Sequence, residues 1–586
     1  MNPRNASLPC ARWHVPGKFP RMLVMLLAAA ALAFASSRDL IADGAKATAA
    51  ARAPIAAHGI DGSLVLCGAG EVSREAIDEF SKLAGGKKGH IVVIRGAESS
   101  KEGQVVTQRL LDSWDAKGMA SFVVLRMPLT DADAHHLKQA TGVWLADGDA
   151  AKLKAAVGAA CLAVVKRGGV IGAAGLGTEA LATLIPPASK DGAKSAGLDM
   201  MPDSIIVARP AGEKGKVILS ALLKQNPALV GYELAPGSAM VVSGRNMRPL
   251  GSGQVTVHLA ATTTRPEKAA ALTKKSGDLT AFRRAAVERA ADFPPALPGV
   301  PFVEKGSLVI VGGGAVGDEI VQRFMELAGG KEASIVIMPA AKGDPLTAKD
   351  AFPDRFRKYG AKSVTIVVGR KIEEVEKPEY LDAMSKATGI WFHGGAQGKI
   401  NDAYEGTKLQ PMMYEVLKRG GVIGGSSAGA SIQTEFLVRG SPGGTRGNLD
   451  NMYEGYQRGF NFLPGVAVDQ HFSKRKRFDA MTKLMQTYPQ YLGIGIDEST
   501  AIVVKGHLAD VIGKGSIYVY DTTKKVEKGK QDYETIKSGG RLDLKSRQAL
   551  PVPVKNEPLQ LSSQVVPLPI VRYPQMQRRE LMLTAA

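Results

Sequence analysis

Gly421-Val422-Ile423-Gly424-Gly425-Ser426-Ser427-Ala428-Gly429-Ala430-Ser431-Ile432 passes from an apolar strand, through a turn of glycine, serine and alanine, into a helix-like segment. Within it Gly425-Ser426-Ser427-Ala428-Gly429 has the spacing G-x-S-x-G. Such a turn needs small residues because the chain bends sharply between strand and helix and lifts one serine clear of the sheet. The start of the helix also offers N–H groups and a partial positive charge to a developing anion. Turns of this composition also serve close packing or anion binding alone, so the remainder of the chain decides between the readings.

Outward from this strand the sequence repeats itself. Gly62-Ser63-Leu64-Val65-Leu66-Cys67-Gly68-Ala69-Gly70 is answered 244 residues later by Gly306-Ser307-Leu308-Val309-Ile310-Val311-Gly312-Gly313-Gly314. Thr141-Gly142-Val143-Trp144 is answered by Thr388-Gly389-Ile390-Trp391, and Lys166-Arg167-Gly168-Gly169-Val170-Ile171-Gly172 by Lys418-Arg419-Gly420-Gly421-Val422-Ile423-Gly424. The offset grows to 247 and then 252, as small loop insertions would produce. This reads as a tandem duplication of a whole domain. Each copy alternates Val/Ile-rich strands with amphipathic helices such as Pro411–Arg419, which predicts an α/β fold with a mostly parallel sheet covered on both faces. Ligands bind such sheets at the carboxyl ends of the strands, and Ser427 stands at one. The expected domains are 61–262 and 306–550, joined by a connector, 263–305, with a charged helix near Asp278–Ala291 and a proline-rich stretch, Pro294 to Pro301. Residues 551–586 read as a Pro-rich basic tail, extended or poorly ordered.

A length of 586 residues suits two or more domains, and 45% hydrophobic with 22% charged residues reads as globular. The formal charge is +19, but the basic residues are dispersed among acidic ones, without a basic helix interleaved with aromatics. A solvated basic surface is expected, and no nucleic-acid partner. Arg4, Arg12, Lys18 and Arg21 precede the apolar run Met22–Ala35, which is short for a membrane span, and Ala33-Phe34-Ala35 offers small residues for cleavage. Residues 1–35 therefore read as a signal peptide, followed by an Ala-rich linker, 36–60; an uncleaved N-terminal anchor is the other reading. Export to the periplasm or the medium is expected, with no stable membrane insertion after cleavage. Of three cysteines, Cys10 lies in the leader, while Cys67 and Cys161 lie in apolar segments and read as core residues. No disulfide framework and no metal-ligand spacing is present, so neither metal nor cofactor is expected.

A reactive serine needs a base, and the base an orienting acid. Val466-Ala467-Val468-Asp469-Gln470-His471-Phe472 brings a histidine to the end of an apolar strand. Leu492-Gly493-Ile494-Gly495-Ile496-Asp497-Glu498-Ser499 then places two carboxylates in a turn before a further apolar strand. Each has a plainer reading, as a core or surface histidine and as a solvated turn. The first copy is an internal control: Gly175 stands at the position of Ser427 and, at an offset of 262, Arg209 faces His471 and Pro236 faces Glu498. All three chemical groups are missing from one copy while the apolar framework is kept.

With these residues in view, the second copy resembles cyanophycinase, of a serine peptidase group with a domain similar to class I glutamine amidotransferases. The resemblance rests on Gly424-Gly425-Ser426-Ser427-Ala428-Gly429-Ala430, on Asp469-Gln470-His471-Phe472 with Arg475 and Arg477, on Gly493-Ile494-Gly495-Ile496-Asp497-Glu498, and on Trp391-Phe392-His393-Gly394-Gly395-Ala396-Gln397. It spans about 306–550 and implies two tandem flavodoxin-like domains, the first a degenerate copy. It implies Ser427 as nucleophile, His471 as general base and acid, and Glu498 as its orienter. Gln397, Asp469, Gln470, Arg475 and Arg477 are implied to line the substrate pocket. There the arginines would clamp a carboxylate and Asp469 would take a guanidinium. The N–H groups of Ala428 and of Gly395 or its neighbour would form an oxyanion hole. The implied substrate is cyanophycin, a poly-aspartate bearing arginine on each side chain, released as β-Asp-Arg dipeptide. Ala396, Ser499 and Ala480 depart from the family pattern and bear on substrate choice. An aspartyl dipeptidase of the same group and a non-catalytic secreted binding protein are the rival readings. A homodimer, or a pseudo-dimer of the two copies within one chain, is the expected assembly.

Overall fold

The computed structural model describes residues 54–95, 101–116, 119–131, 133–146, 150–187, 195–208, 212–273, 277–441 and 454–551. The leader expected over 1–35, most of the linker, Arg209 and nearly all of the C-terminal tail lie outside the described residues.

In the second half β1 (Val303–Val311) and β2 (Val422–Ser426) form the centre of a nine-stranded sheet. Its order is 363–366, 334–338, 389–392, β2, β1, 500–506, 508–513, 541–543 and 548–550. The first five strands are parallel and the later pairings antiparallel. A five-stranded sheet accompanies it: 434–436, β3 (Leu463–Gln470), β4 (Leu492–Ile496), 516–520 and 534–537. The alternation of side chains along a strand explains why β1 is apolar throughout. Leu308 and Ile310 enter one core, with Ile390 and Ile423; Val309 and Val311 enter the core on the other face, with Phe324 and Trp391.

The first half runs through its two sheets in the same order except at the edges: its larger sheet lacks a counterpart of 548–550, and its smaller sheet adds the edge strand 195–196. The larger reads 121–126, 90–95, 142–145, 170–174, 63–67, 238–243, 246–251 and 277–278; the smaller reads 195–196, 182–185, 201–207, 230–234, 255–259 and 268–271. One packing device recurs in both halves. Phe80 meets Trp144 edge-on at 5.0 Å, and Phe324 meets Trp391 at 5.1 Å. A Cβ at Gly172 would lie 2.2 Å from the Trp144 ring, and one at Gly424 2.7 Å from that of Trp391, so the neighbouring strand must carry glycine there. Cys67 and Cys161 are buried, and desolvation pushes both thiols up to about 12.

Residues 263–305 do more than join the halves. Strand 268–271 extends the smaller sheet of the first half. Helix α1 (Leu279–Ala290), capped by the Asp278 carboxylate, which accepts the Ala281 N–H at 3.0 Å, lies against both halves. Its Arg283, Arg284, Glu288 and Arg289 are buried. Arg283 pairs with Asp203 at 2.7 Å in the first half. Arg284 reaches Asn401 O at 3.0 Å and Asp402 at 3.2 Å on α2 (Gln397–Tyr404), and also Glu405. Glu288 accepts the N–H groups of Gly455, Gln457 and Arg458 at 3.0–3.2 Å.

Candidate active site

β2 ends at Ser426 and the chain turns at Ser427 into the short helix α3 (Ala428–Ser431). Ser427 sits at φ 57°, ψ −112°, a conformation costly for a residue with a Cβ. Its N–H donates to Val311 O at 3.0 Å, which ties the turn to the end of β1. The glycines on either side are steric requirements: a Cβ at Gly425 would lie 2.3 Å from Gly429 O, and one at Gly429 2.2 Å from Phe392 O.

β3 ends at Gln470 and delivers His471, whose N–H donates to Gly312 O at 2.7 Å. Ser427 Oγ lies 2.8 Å from His471 Nε2, and His471 Nδ1 lies 2.7 Å from Glu498 Oε1. Glu498 stands in the turn after β4, pinned by the Ser499 N–H to Gly313 O at 2.8 Å. Hydroxyl, imidazole and carboxylate are thus hydrogen-bonded in series. Burial lowers the His471 pKa, the bond to Glu498 opposes that shift, and Arg475 and Arg477 add to it; the net direction is down. The shift favours the neutral imidazole, the form that can accept a proton.

Two supports were not singled out from the sequence. Gly313 has φ 99°, and a Cβ there would lie 2.4 Å from the imidazole. Ala69 occupies the matching position in the first half, so a departure from the glycine triplet marks where no imidazole fits. Asp497 accepts the Ser473 N–H at 3.1 Å and, through its other oxygen, the Tyr518 hydroxyl at 3.1 Å. It therefore braces the turn that follows His471. The sequence showed an Asp-Glu pair, but which carboxylate faces the histidine is a matter of tertiary direction.

The oxyanion candidates are Ala428 and the Gly394–Gly395 loop. Ala428 follows Ser427 directly, and Gly394 and Gly395 line the same cavity as Ser427 and His471. Gly394 packs so closely that a Cβ on it would be 3.0 Å from that of Ser427, and one on Gly395 would be 1.9 Å from Ala341 O.

The substrate-pocket candidates require correction. Gln397, Asp469, Gln470 and Arg477 are all at most 5% exposed. The Asp469 carboxylate takes Arg439 Nε at 3.1 Å, Arg477 Nη1 and the Gln470 N–H at 3.0 Å. Arg477 also donates to Gln470 O at 3.0 Å. A carboxylate this deeply buried requires paired cations, and the chain supplies them itself. Asp469 is an internal counter-ion rather than an open receptor for a guanidinium, and Arg477 is not half of an open clamp. Arg475 alone of the five is exposed. The cavity beside Ser427, about 910 Å³, is lined instead by the 314–316, 342–357 and 391–395 segments together with Ser426, Ser427 and His471.

Residues 308–512 match peptidase family S51. Over 224 residues the chain is 34% identical to a cyanophycinase of Geminocystis herdmanii (strain PCC 6308), covering 37% of this chain and 81% of that protein. Over 222 residues it is 30% identical to a cyanophycinase of Synechococcus elongatus, covering 37% of this chain and 68% of that one. A solved peptidase from an acI-B1 Actinobacterium is 23% identical, with a TM-score of 0.34, covering 41% of this chain and 97% of that one.

Proposed function

The chain belongs to peptidase family S51, and from that premise we propose that it is a serine-type peptidase hydrolysing cyanophycin to β-Asp-Arg dipeptides. The observation that carries this reading is the series of contacts at 2.8 and 2.7 Å from Ser427 through His471 to Glu498, set at a strained strand–helix turn. Ser427 Oγ attacks the amide carbonyl carbon while His471 Nε2 accepts its proton. The C–N bond then breaks, and the same proton passes to the leaving amine. Water, deprotonated by His471, releases the acyl group and regenerates the hydroxyl. Glu498 holds the Nδ1–H tautomer. The N–H of Ala428 and a main-chain N–H of the Gly394–Gly395 loop receive the oxyanion.

The first half is, in this reading, an inactive copy. The strand order that the two halves share, apart from one edge strand in each, supports this, as does Gly175 at φ 54°, ψ −122°, nearly the angles of Ser427 but with no hydroxyl. Export by the 1–35 leader rests on the basic residues ahead of its apolar run, and fits use of polymer outside the cell. Replacing Ser427 with alanine should leave the fold intact and lower dipeptide release from cyanophycin by at least about 10⁴-fold. Release at the parent rate by that variant would refute the assignment.

A further inference from the structure

The cavity has a cationic wall that the hydrogen-bonded series does not use. Between strands 334–338 and 363–366 the chain runs along it, contributing Lys342, Lys349, Phe352, Asp354, Arg355 and Arg357 to the lining. Four of these are cations and one is an anion, and Asp354 already takes Arg357 Nη1 at 2.8 Å. Phe352 is 59% exposed and holds φ 46°, a backbone conformation that a bulky side chain adopts only at a cost. The fold thus keeps an apolar ring turned out at the cavity wall. Lys342 Nζ lies 5.1 Å from its centroid, and the His393 ring lies at 5.9 Å.

We propose that this wall binds free carboxylates on the peptide beside the scissile bond, and that the site selects its substrate by those carboxylates rather than by a guanidinium. The inference rests on the peptidase reading of the same cavity. A carboxylate there meets four cations against the single carboxylate of Asp354, a net positive field in a concave, partly shielded space. A guanidinium meets the same field with the opposite sign. Asp469, the acid that the family resemblance assigns to it, is already occupied by Arg439 and Arg477. Phe352 offers apolar surface to a methylene stem. In β-Asp-Arg the arginine is joined through its amine, so each repeat of the polymer keeps one free carboxylate, and that is the group the wall takes.

Binding to the Ser427→Ala chain, followed by calorimetry, separates this claim from the claim of hydrolysis. The probes are a short β-aspartyl-arginine oligomer, its twin with the arginyl carboxylates amidated, and a third with citrulline in place of arginine. The free acid should bind at least about tenfold more tightly than the amide, with an advantage that falls as salt rises. The citrulline peptide should bind at least as well as the arginine peptide. In a chain also carrying Lys349→Glu and Arg357→Glu, both exposed positions, the advantage should shrink to less than about threefold. No measurable binding of the free acid, equal binding of acid and amide, an undiminished advantage after charge reversal, or a tenfold loss with citrulline would each overturn the inference. Failure of the unmodified chain to cleave the oligomer would count against the peptidase reading, and the binding comparison would stand apart from it.

Discussion

At the residue scale, two of the three side chains in the series, and the neighbour of the third, stand on unfavourable backbone. Ser427, His471 and Ser499 have φ of 57°, 53° and 55°, and such positions cost roughly 1–3 kcal/mol each. Packing holds them: each N–H is bound to the carbonyl of Val311, Gly312 or Gly313 in turn, so one strand end fixes all three corners. The electrostatics of His471 give a pH prediction. Desolvation outweighs the Glu498 bond, so the folded pKa lies below the ordinary imidazole value. The acid limb of kcat/KM should therefore fall below the range of a free histidine. In Glu498→Gln it should move lower still, with a reduced kcat, because the anion that raises the pKa is gone. An acid limb above the free-histidine range in a pH–rate profile would contradict this. The same shift acts on stability: the folded chain binds this proton less readily than the unfolded one, so the contribution is present above the unfolded pKa and is lost as pH falls through the folded one. Ser427, His471 and Glu498 were legible in the sequence because each follows an apolar strand in a short motif. The closure of Asp469 was not, because its partner Arg439 lies thirty residues upstream in an irregular segment.

At the element scale, helix α1 shows where composition misleads. A helix was expected near Asp278–Ala291 and is observed over Leu279–Ala290. The sequence reads it as a charged helix within a connector, with nothing to show that its arginines and glutamate would be buried. The partners lie far off in sequence: Asp203 upstream, and 401–405 and 454–458 more than a hundred residues downstream. Arg284 matters most to the site, since it binds α2, which begins just after the Gly394–Gly395 loop facing Ser427. Arg284→Met would leave Asp402 with Arg245 as its remaining cation, take the cation from the half-buried Glu405 and remove a donor from the Asn401 carbonyl. It should cost about 1–3 kcal/mol, lower the thermal midpoint and speed amide exchange across Gln397–Tyr404. An unchanged midpoint with unchanged exchange would show that α1 does not hold this part of the site.

At the scale of the whole molecule, two halves that share a strand order except at the sheet edges differ in what stands at the strand ends. The matching segments were visible in the sequence because buried strands and their glycines are constrained by packing: Trp144 stands beside Gly172 as Trp391 stands beside Gly424. What the sequence left open was how the halves meet, since ion pairs between them, such as Arg245 to Asp402 at 2.9 Å, are set by tertiary direction. The proposed chemistry requires one activated serine, in the second half. Treating the whole chain with a fluorophosphonate and mapping the adduct by mass spectrometry tests it most directly. One adduct per chain on Ser427, absent from His471→Ala, is the predicted result; no adduct on a chain that cleaves peptide, or an adduct in the first half, would contradict it.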